Sequence, residues 1–222
     1  MNELMPFEAE RRRMIDVQLR RRGIRDERVL DAMLRVPRHQ FVPPAFIERA
    51  YQDRPLPIGN AETISQPYMV AAMTEAASVK PGDKVFEAGT GSGYQAAILA
   101  ALGAKVYSLE RNPRLADGAR ARLARLGYDV EVICADASQG YAPAAPYDAM
   151  LVTAASPSIP GVLIDQLAEG GRLVIPVGGR QGQRLERVIK TAEGVSRQSL
   201  EACQFVPLIG KYGWPEEASP AP

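Results

Sequence analysis

The chain has 222 residues, of which 46% are hydrophobic and 24% charged, enough for one globular domain of about 150 to 200 residues plus an extension. Its formal net charge of +1 argues against a surface dedicated to nucleic acid or to an anionic membrane. No uncharged apolar run is long enough to span a bilayer, so we expect a soluble, cytoplasmic protein, acting as a monomer.

The scarcity of histidine and cysteine excludes several catalytic chemistries. His39 is the only histidine, which argues against Ser-His-Asp, Cys-His and multi-histidine zinc sites. We interpret it as a packed loop residue. Cys134 and Cys203 lack the spacing of metal ligands, so we expect two buried thiols and no metal site.

The N-terminal part of the chain predicts helices. Apolar residues recur at helical spacing in two segments, 7–22 and 26–35. Two arginine triplets in the first segment are interspersed with acids, which favours a solvated helix face over a nucleic-acid patch. Residues 51–67 contain three prolines and no regular period, so we expect an ordered loop, followed by a helix over 68–77.

From residue 84 onward, strand and helix patterns alternate, which predicts a mainly parallel sheet with right-handed crossovers. A helix capped by Asn112 and closed by Gly127 is among the predicted elements. The other helices are predicted over 95–102 and 162–167. The strands are predicted over 84–87, 105–109, 129–134, 148–153 and 172–177, with an antiparallel pair over 185–191 and 199–206, and the tail 215–222 is expected to be disordered.

A glycine-rich loop follows the first strand of this series. Gly89, Gly91 and Gly93 alternate in Glu-x-Gly-x-Gly-x-Gly, a pattern typical of a sharp strand-to-helix turn that touches a nucleotide cofactor. Residues 91–96 also satisfy the dinucleotide pattern G-x-G-x-x-G/A. The loop alone therefore leaves NAD and S-adenosylmethionine open.

Three acids at predicted strand ends separate the two cofactors. Glu87, Glu110 and Asp136 end successive strands, where they suit a cationic ligand better than a pyrophosphate. Glu110 can accept both ribose hydroxyls, and Asp136 can accept from an adenine amino group. Each acid alone could be a capping residue, but together they favour S-adenosylmethionine, and no histidine is available as the acid for hydride transfer.

Longer motifs carry a more specific resemblance. Thr63-Ile-Ser-Gln-Pro67 with Val85-Phe-Glu-Ala-Gly-Thr-Gly-Ser-Gly-Tyr-Gln95 resembles the protein-L-isoaspartate O-methyltransferase family, and Phe205 to Trp214 supplies a further match. The resemblance implies an α/β class I methyltransferase fold with a doubly wound, mostly parallel seven-stranded sheet. It also implies an N-terminal helical extension with the substrate loop over 1–66, a methyltransferase domain over 67–214, and the tail beyond.

The resemblance also implies a reaction and its residues. Isoaspartyl-containing proteins and peptides would be the substrates, methylated by S-adenosylmethionine on the free α-carboxylate of the L-isoaspartyl residue in a protein-repair reaction. Ser65 would be catalytic, although its hydroxyl could also cap the following helix. The implied substrate residues are Thr63, Ile64, Ser65, Gln66 and Tyr68, and the implied cofactor residues are Glu87, Gly89, Thr90, Gly91, Ser92, Gly93, Glu110, Arg111, Asp136 and Ala137.

Two departures from the family pattern leave alternatives open. Ala61-Glu62 stands where many members carry Gly-Gln, and Asp136 is flanked by alanines where glycines are usual. Glu62 adds negative charge near the proposed anion site, which bears on substrate selectivity. The alternatives are methylation of an ordinary aspartate in a dedicated peptide, and a catalytically weak S-adenosylmethionine-binding module.

Overall fold

The N-terminal helices follow one another with three hydrogen-bond patterns. In this computed structural model, which describes residues 7–179 and 182–216, α1 (Glu8–Arg13) continues into a π-helix (Met14–Leu19) and a 3-10 turn (Arg20–Arg22). The predicted segment 7–22 is therefore helical but not a uniform α-helix. Met14 and Leu19 are both fully buried, which the i to i+5 spacing of a π turn permits. Helix α2 (Glu27–Arg35) follows, capped by Asp26.

A short hairpin corrects the prediction of an irregular loop over 51–67. Strands β1 (Leu56–Gly59) and β2 (Glu62–Ile64) pair antiparallel. Asn60 and Ala61 form the turn, with φ of 53° and 60°, the positive values that a two-residue hairpin turn requires. With four and three residues, the strands are too short to show an alternating pattern. Helix α3 (Pro67–Ala77) begins directly after the hairpin.

Seven strands form the main sheet, in the order β5-β4-β3-β6-β7-β8-β9. The first five strands of this order are parallel, and the last three form an antiparallel meander. The chain reverses its direction of winding beside β3, where ligands bind in open α/β sheets. The strands are β3 (Lys84–Ala88), β4 (Lys105–Glu110), β5 (Val130–Cys134), β6 (Tyr147–Val152), β7 (Leu167–Gly179), β8 (Gly182–Thr191) and β9 (Gly194–Cys203).

Apolar clusters cover both faces of the sheet. Neighbouring residues of a strand point to opposite faces, and Val85 accordingly belongs to one cluster and Phe86 to the other. The first cluster includes residues of α2, α3, α4 (Tyr94–Ala101) and α5 (Pro113–Arg125), and the second includes residues of α6 (Gly161–Asp165). The architecture is the predicted doubly wound α/β fold with an N-terminal helical region.

Several sequence-based boundaries and burial states differ from the structure. Strand β7 begins at Leu167 rather than at residue 172, and the last pair of strands spans 182–191 and 194–203. Cys134 is exposed and Cys203 is partly buried, so the expectation of two buried thiols was wrong. The division of the chain after residue 66 stays a prediction, and the predicted tail lies outside the described residues from position 217 on.

The helices in the described ranges were compared with the length and hydropathy of a membrane span. None of the helices there combines the length and the apolar content needed to cross a bilayer.

Candidate functional site

A cavity opens where β3, β4 and β6 end. Its walls come from the hairpin, the glycine loop, the ends of these strands and a segment near the C-terminus. Of the residues predicted from the sequence, eleven line it: Thr63, Ile64, Ser65, Glu87, Gly89, Thr90, Gly91, Ser92, Glu110, Arg111 and Ala137. Gly93 is instead the N-cap residue of α4, and Gln66, Tyr68 and Asp136 are not among the lining residues.

The glycine loop leaves no room for side chains. Gly89 has a φ of 95°, and a Cβ built on it would lie 2.6 Å from Thr153 Oγ1. The Thr153 hydroxyl donates to the carbonyl of Gly89 at 2.7 Å, which fixes the loop against the end of β6. A Cβ on Gly91 would approach Ile58 of the hairpin at 3.3 Å. The loop is therefore a tight backbone cradle at the cavity, in which a side chain at Gly89 or Gly91 would crowd Thr153 or Ile58.

Glu87 presents a buried carboxyl oxygen without a partner. The side chain is fully buried at the end of β3, and its Oε2 accepts a hydrogen bond from Ser108, whose hydroxyl also pairs with Thr90. Its Oε1 has no partner in the described structure. Burial raises the pKa of Glu87 to about 8, because desolvation disfavours the carboxylate. A cationic donor in the cavity would satisfy this oxygen.

Glu110 fixes the backbone on both sides of the cavity floor. Its Oε2 accepts from the amide of Gly91 at 2.9 Å, and its Oε1 accepts from the amide of Asn112 at 2.9 Å. A carboxylate has about four lone-pair positions, so Glu110 retains acceptor capacity for a pair of hydroxyls. Burial, and then the charge of Glu110, raise the pKa of the nearby Glu62.

Asp136 is fully engaged by protein donors. Its Oδ1 accepts from the amide and the hydroxyl of Ser138, and its Oδ2 accepts from the amide of Lys211 and from Gln139. Burial opposes ionisation, but these hydrogen bonds hold the pKa of Asp136 below its usual range. These four donors come from the protein itself, so an adenine amino group would share Asp136 with them, and the contact of Asp136 with adenine stays a prediction.

Ser65 lies at the cavity wall without capping α3. The N-cap of α3 is Gln66, with no side-chain cap bond, so the capping interpretation of Ser65 was wrong. In the part of the chain that the structure describes, the Ser65 hydroxyl makes no hydrogen bond. Its backbone carbonyl accepts from the fully buried Arg38 at 2.8 Å.

Arg38 links the loop of Ser65 to the N-terminal region. Its Nε donates to the carbonyl of Ala50 at 2.8 Å, and its guanidinium lies 4.9 Å from the centre of the Tyr94 ring. Burial lowers the pKa of Arg38 to about 10, so the side chain is charged at neutral pH. The loop that carries Ser65 is therefore held by the positively charged side chain of Arg38.

Gln66 and Tyr68 contact Asp53 rather than the cavity. Gln66 Nε2 donates to Asp53 Oδ2 at 2.8 Å, and the Tyr68 amide donates to Asp53 Oδ1 at 3.1 Å. The Tyr68 ring stacks on the guanidinium of Arg22 at 3.5 Å, and its hydroxyl donates to Glu201. The N-cap residue of α3 makes no side-chain cap bond, and Asp53, which is remote in sequence, accepts from an amide of the first helical turn in its place.

Sequence reasoning missed part of the cavity wall. Residues 206–209 line it, although the motif from Phe205 to Trp214 was noted only as a match without a role. Tyr94 and Gln95, which follow the glycine loop, also line it, and each carries a buried oxygen without a partner among the described residues. A side-chain oxygen of this kind cannot be recognised before its neighbours are known.

His39, the single histidine of the chain, is not among the residues that line the cavity. His39 is buried, with its Nδ1 2.7 Å from the Tyr51 hydroxyl and its ring 4.9 Å from that of Phe7. It is a packed residue, as predicted. Over residues 7–179 and 182–216, no group of three or more histidine, cysteine or acidic residues is arranged to hold a metal ion.

The site fits an adenosyl cofactor with a cationic amino-acid end. The free Glu87 oxygen suits an ammonium or sulfonium group, Glu110 suits two ribose hydroxyls, and the cradle at Gly91 admits a close backbone approach. The ionised form of this buried carboxyl group would repel a pyrophosphate.

Comparisons with known proteins identify the relatives of this chain. A family model described as protein-L-isoaspartate(D-aspartate) O-methyltransferase (PCMT) matches residues 9–213. A protein-L-isoaspartate O-methyltransferase from Methanoculleus marisnigri is 56% identical over 219 residues, which covers 98% of this chain and 100% of that protein. One from Koribacter versatilis is 54% identical over 213 residues, covering 96% of each.

Solved structures that superpose on this chain carry the same description. A protein-L-isoaspartate O-methyltransferase superposes with a TM-score of 0.83 at 27% identity, covering 91% of this chain and 67% of the other. A Plasmodium falciparum protein, described as a beta-aspartate methyltransferase and solved with S-adenosyl-L-homocysteine, superposes with a TM-score of 0.78 at 27% identity, covering 88% and 96%.

Proposed function

The chain belongs to the protein-L-isoaspartate(D-aspartate) O-methyltransferase family, and from this premise we propose which of its residues carry the reaction. It is an S-adenosylmethionine-dependent methyltransferase that acts on isoaspartyl residues of proteins and peptides. The observation that carries the proposal is one cavity with acids for the cofactor on its floor and the Ser65 hydroxyl on its wall.

The cofactor side of the site consists of Glu87, the glycine loop and Glu110. Glu87 would hold the amino group of S-adenosylmethionine through its free Oε1, and Glu110 would accept the ribose hydroxyls. When bound, this cofactor supplies an electrophilic methyl group on a sulfonium. The absence of side chains at Gly89 and Gly91, which line the cavity, supports a close approach of the cofactor to the backbone.

The acceptor side is formed by Thr63, Ile64 and Ser65. An acceptor carboxylate with a pKa of about 4 is ionised at neutral pH, so the site needs no strong base. This agrees with the absence of histidine and cysteine from the lining. Ser65 would donate its otherwise unused hydroxyl to the carboxylate and help to fix its direction of attack. Holding both reactants together in the site contributes roughly 7 to 11 kcal/mol in favourable cases, of which Ser65 supplies one part.

Residues that do not line the cavity support the acceptor loop. Gln66 and Tyr68 were predicted to bind substrate, and their contacts with Asp53 favour a role in fixing the start of α3 behind Ser65. Arg111 lines the cavity and pairs with Glu216, which suits a boundary of the cofactor site.

The decisive experiment compares two matched peptides that differ only at one residue, L-isoaspartyl in one and L-aspartyl in the other. Methyl incorporation from labelled S-adenosylmethionine is expected only with the isoaspartyl peptide. Preference for the aspartyl peptide would instead indicate modification of an ordinary aspartate. Binding of S-adenosylhomocysteine without turnover on either peptide would indicate a binding module.

The cellular setting follows from general properties of the chain. We propose that the protein acts as a monomer in the cytoplasm and without nucleic acid. The net charge of +1 offers no general attraction for polyanions, and the two free cysteines suit a reducing compartment. Light scattering after size-exclusion chromatography tests the monomer.

A further inference from the structure

A segment near the C-terminus, residues 206–212, connects two distant strand ends; we name it the cavity strap. Its first half pairs with Ala155, just beyond β6. The Ala155 amide donates to the carbonyl of Val206 at 2.7 Å, and the Leu208 amide donates to the carbonyl of Ala155 at 2.8 Å. Leu208 and Ile209 then line the cavity.

The second half of the cavity strap is held by the turn after β5. The Lys211 amide donates to Asp136 Oδ2 at 2.8 Å, and the Tyr212 amide donates to Ser138 Oγ at 3.0 Å. Ser138 in turn donates to Asp136 Oδ1 at 2.7 Å. One carboxylate therefore orders both successive amides of the strap, directly and through a hydroxyl.

The contact between Asp136 and the strap is too close for any side chain between them. A Cβ built on Gly210 would lie 2.0 Å from Asp136 Oδ1. In the sheet, β5 and β6 are separated by β4 and β3, so their ends are about 14 Å apart at ordinary strand spacing. About four or five extended residues span that distance, which leaves the strap little slack.

We propose that Asp136 is a positioning residue, which fastens the cavity strap and thereby sets Leu208 and Ile209 against the methyl-transfer cavity. This role rests on the proposed function and comes in addition to the predicted contact with adenine. The strap contributes apolar side chains to a site where an anionic acceptor must be kept from water, because exclusion of water strengthens the interactions that orient it. A loosened strap is expected to impair acceptor binding above all.

Three variants each disrupt a different contact between the cavity strap and the turn after β5. Asp136→Asn places an amide opposite the Lys211 amide, Ser138→Ala removes the acceptor of the Tyr212 amide, and Gly210→Ala inserts a methyl group that the contact cannot hold. The matched control is Asp129→Asn, an exposed aspartate at the opposite end of β5.

Three measurements are made on each variant. Trypsin cleavage after Lys211 reports release of the strap, because proteases cut chain that opens locally. Steady-state kinetics with an isoaspartyl peptide separate KM from kcat. Affinities for S-adenosylhomocysteine and for S-inosylhomocysteine, which lacks the adenine amino group, report any contact with that group.

All three strap variants are expected to be cleaved after Lys211 about tenfold faster and to show a peptide KM raised about tenfold, the effect of one lost hydrogen bond to a charged group. Ser138→Ala and Gly210→Ala, which keep the Asp136 carboxylate, should prefer S-adenosylhomocysteine over the inosyl compound as strongly as the parent and Asp129→Asn do. The proposal is overturned if Ser138→Ala and Gly210→Ala lose this preference, or if cleavage is unchanged in Asp136→Asn and Gly210→Ala. Cleavage and affinity need no turnover, so failure of the methylation reaction itself would be recognised separately.

Discussion

The Ser108 hydroxyl donates to one oxygen of Glu87 and leaves the other, buried at the cavity, without a partner. The pair lies on adjacent strands, since Glu87 and Ser108 are register partners in β3 and β4. An acid that is half satisfied and fully desolvated is costly to ionise in the free protein. Because Oε1 of Glu87 has no partner, the side chain can accept a hydrogen bond from a bound cation.

Cofactor affinity should therefore depend on pH. The pKa of Glu87 in the free protein is about 8, so the group is mainly protonated at pH 6 to 7, whereas a bound ammonium favours the carboxylate. Binding must release a proton below pH 8, and the affinity for S-adenosylhomocysteine should rise by up to about tenfold per pH unit as pH approaches 8. Calorimetry in buffers of different ionisation enthalpy measures both quantities. Constant affinity without proton release would contradict this assignment.

Glu87→Gln should stabilise the free protein while weakening the cofactor. The folded-state pKa of Glu87 lies above its unfolded value, so the folded state holds the proton more tightly and stability falls as pH rises from about 4.5 to 8. Glutamine is neutral throughout. The variant should gain roughly 1 to 4 kcal/mol over the parent between pH 5 and 8.5, since one pKa unit corresponds to about 1.4 kcal/mol. Urea unfolding at both pH values measures it, with Glu193→Gln on the surface as control.

Ser65→Ala and Glu110→Ala should affect different kinetic constants. Removing the Ser65 hydroxyl should lower kcat about 10- to 100-fold, as expected for one hydrogen bond to a charged group, with little change in the KM for S-adenosylmethionine. Glu110→Ala should mainly raise that KM, because it also releases the amides of Gly91 and Asn112. Ser196→Ala on the exposed part of β9 is the control. A Ser65 variant with parental turnover would remove this residue from the acceptor site.

Ala61→Gly should stabilise the hairpin turn. Ala61 has a φ of 60°, a left-handed conformation that costs a residue with a Cβ about 1 to 2 kcal/mol. The net gain should be about 1 kcal/mol, or roughly 2 to 4 °C in Tm for a chain of this length. Ala124→Gly, in the exposed face of α5, is the matched control and should lose about 1 kcal/mol. Equal effects of the two changes would mean that the turn is unstrained.

Glu62→Gln should improve recognition of the acceptor carboxylate. Glu62 lines the cavity, and burial followed by the charge of Glu110 raises its pKa. The ionised form repels an anionic acceptor, so the variant should lower the peptide KM, and the difference should grow as pH rises from 6 to 8.5. Peptide KM measured at low and high salt identifies the charge effect, since screening should reduce it. A KM that is equal at every pH would show that Glu62 does not sense the acceptor.

The sheet could be predicted because its signals are local. Strands such as β3 and β6 are short apolar runs bounded by turn residues, and Asn112 marks the start of α5 with both a side-chain cap and a following proline. The hairpin of β1 and β2 could not, since three or four residues carry no readable alternation. Its turn became visible only through the backbone angles of Asn60 and Ala61.

The site likewise has residues that the sequence predicts and contacts that it does not reveal. Glu87 and Glu110 follow directly from their position at strand ends, and the cavity contains both. The partners of Asp136 lie as far as 75 residues along the chain, and a backbone amide has no sequence signature. Whether an acid at a strand end is free for a ligand or engaged by the protein is decided by such distant donors.

The hydrogen bond from Arg38 to the carbonyl of Ser65 sets a condition on protein engineering. A chimaera that joins the glycine-loop core of this chain to another N-terminal region would inherit the sequence of the acceptor loop without the buried cation beneath it. Acceptor specificity can therefore be transferred to another protein only when the region of Arg38 and Ala50 is transferred together with the loop. A transplant of residues 62–68 alone should bind cofactor and lose its preference for isoaspartyl peptides.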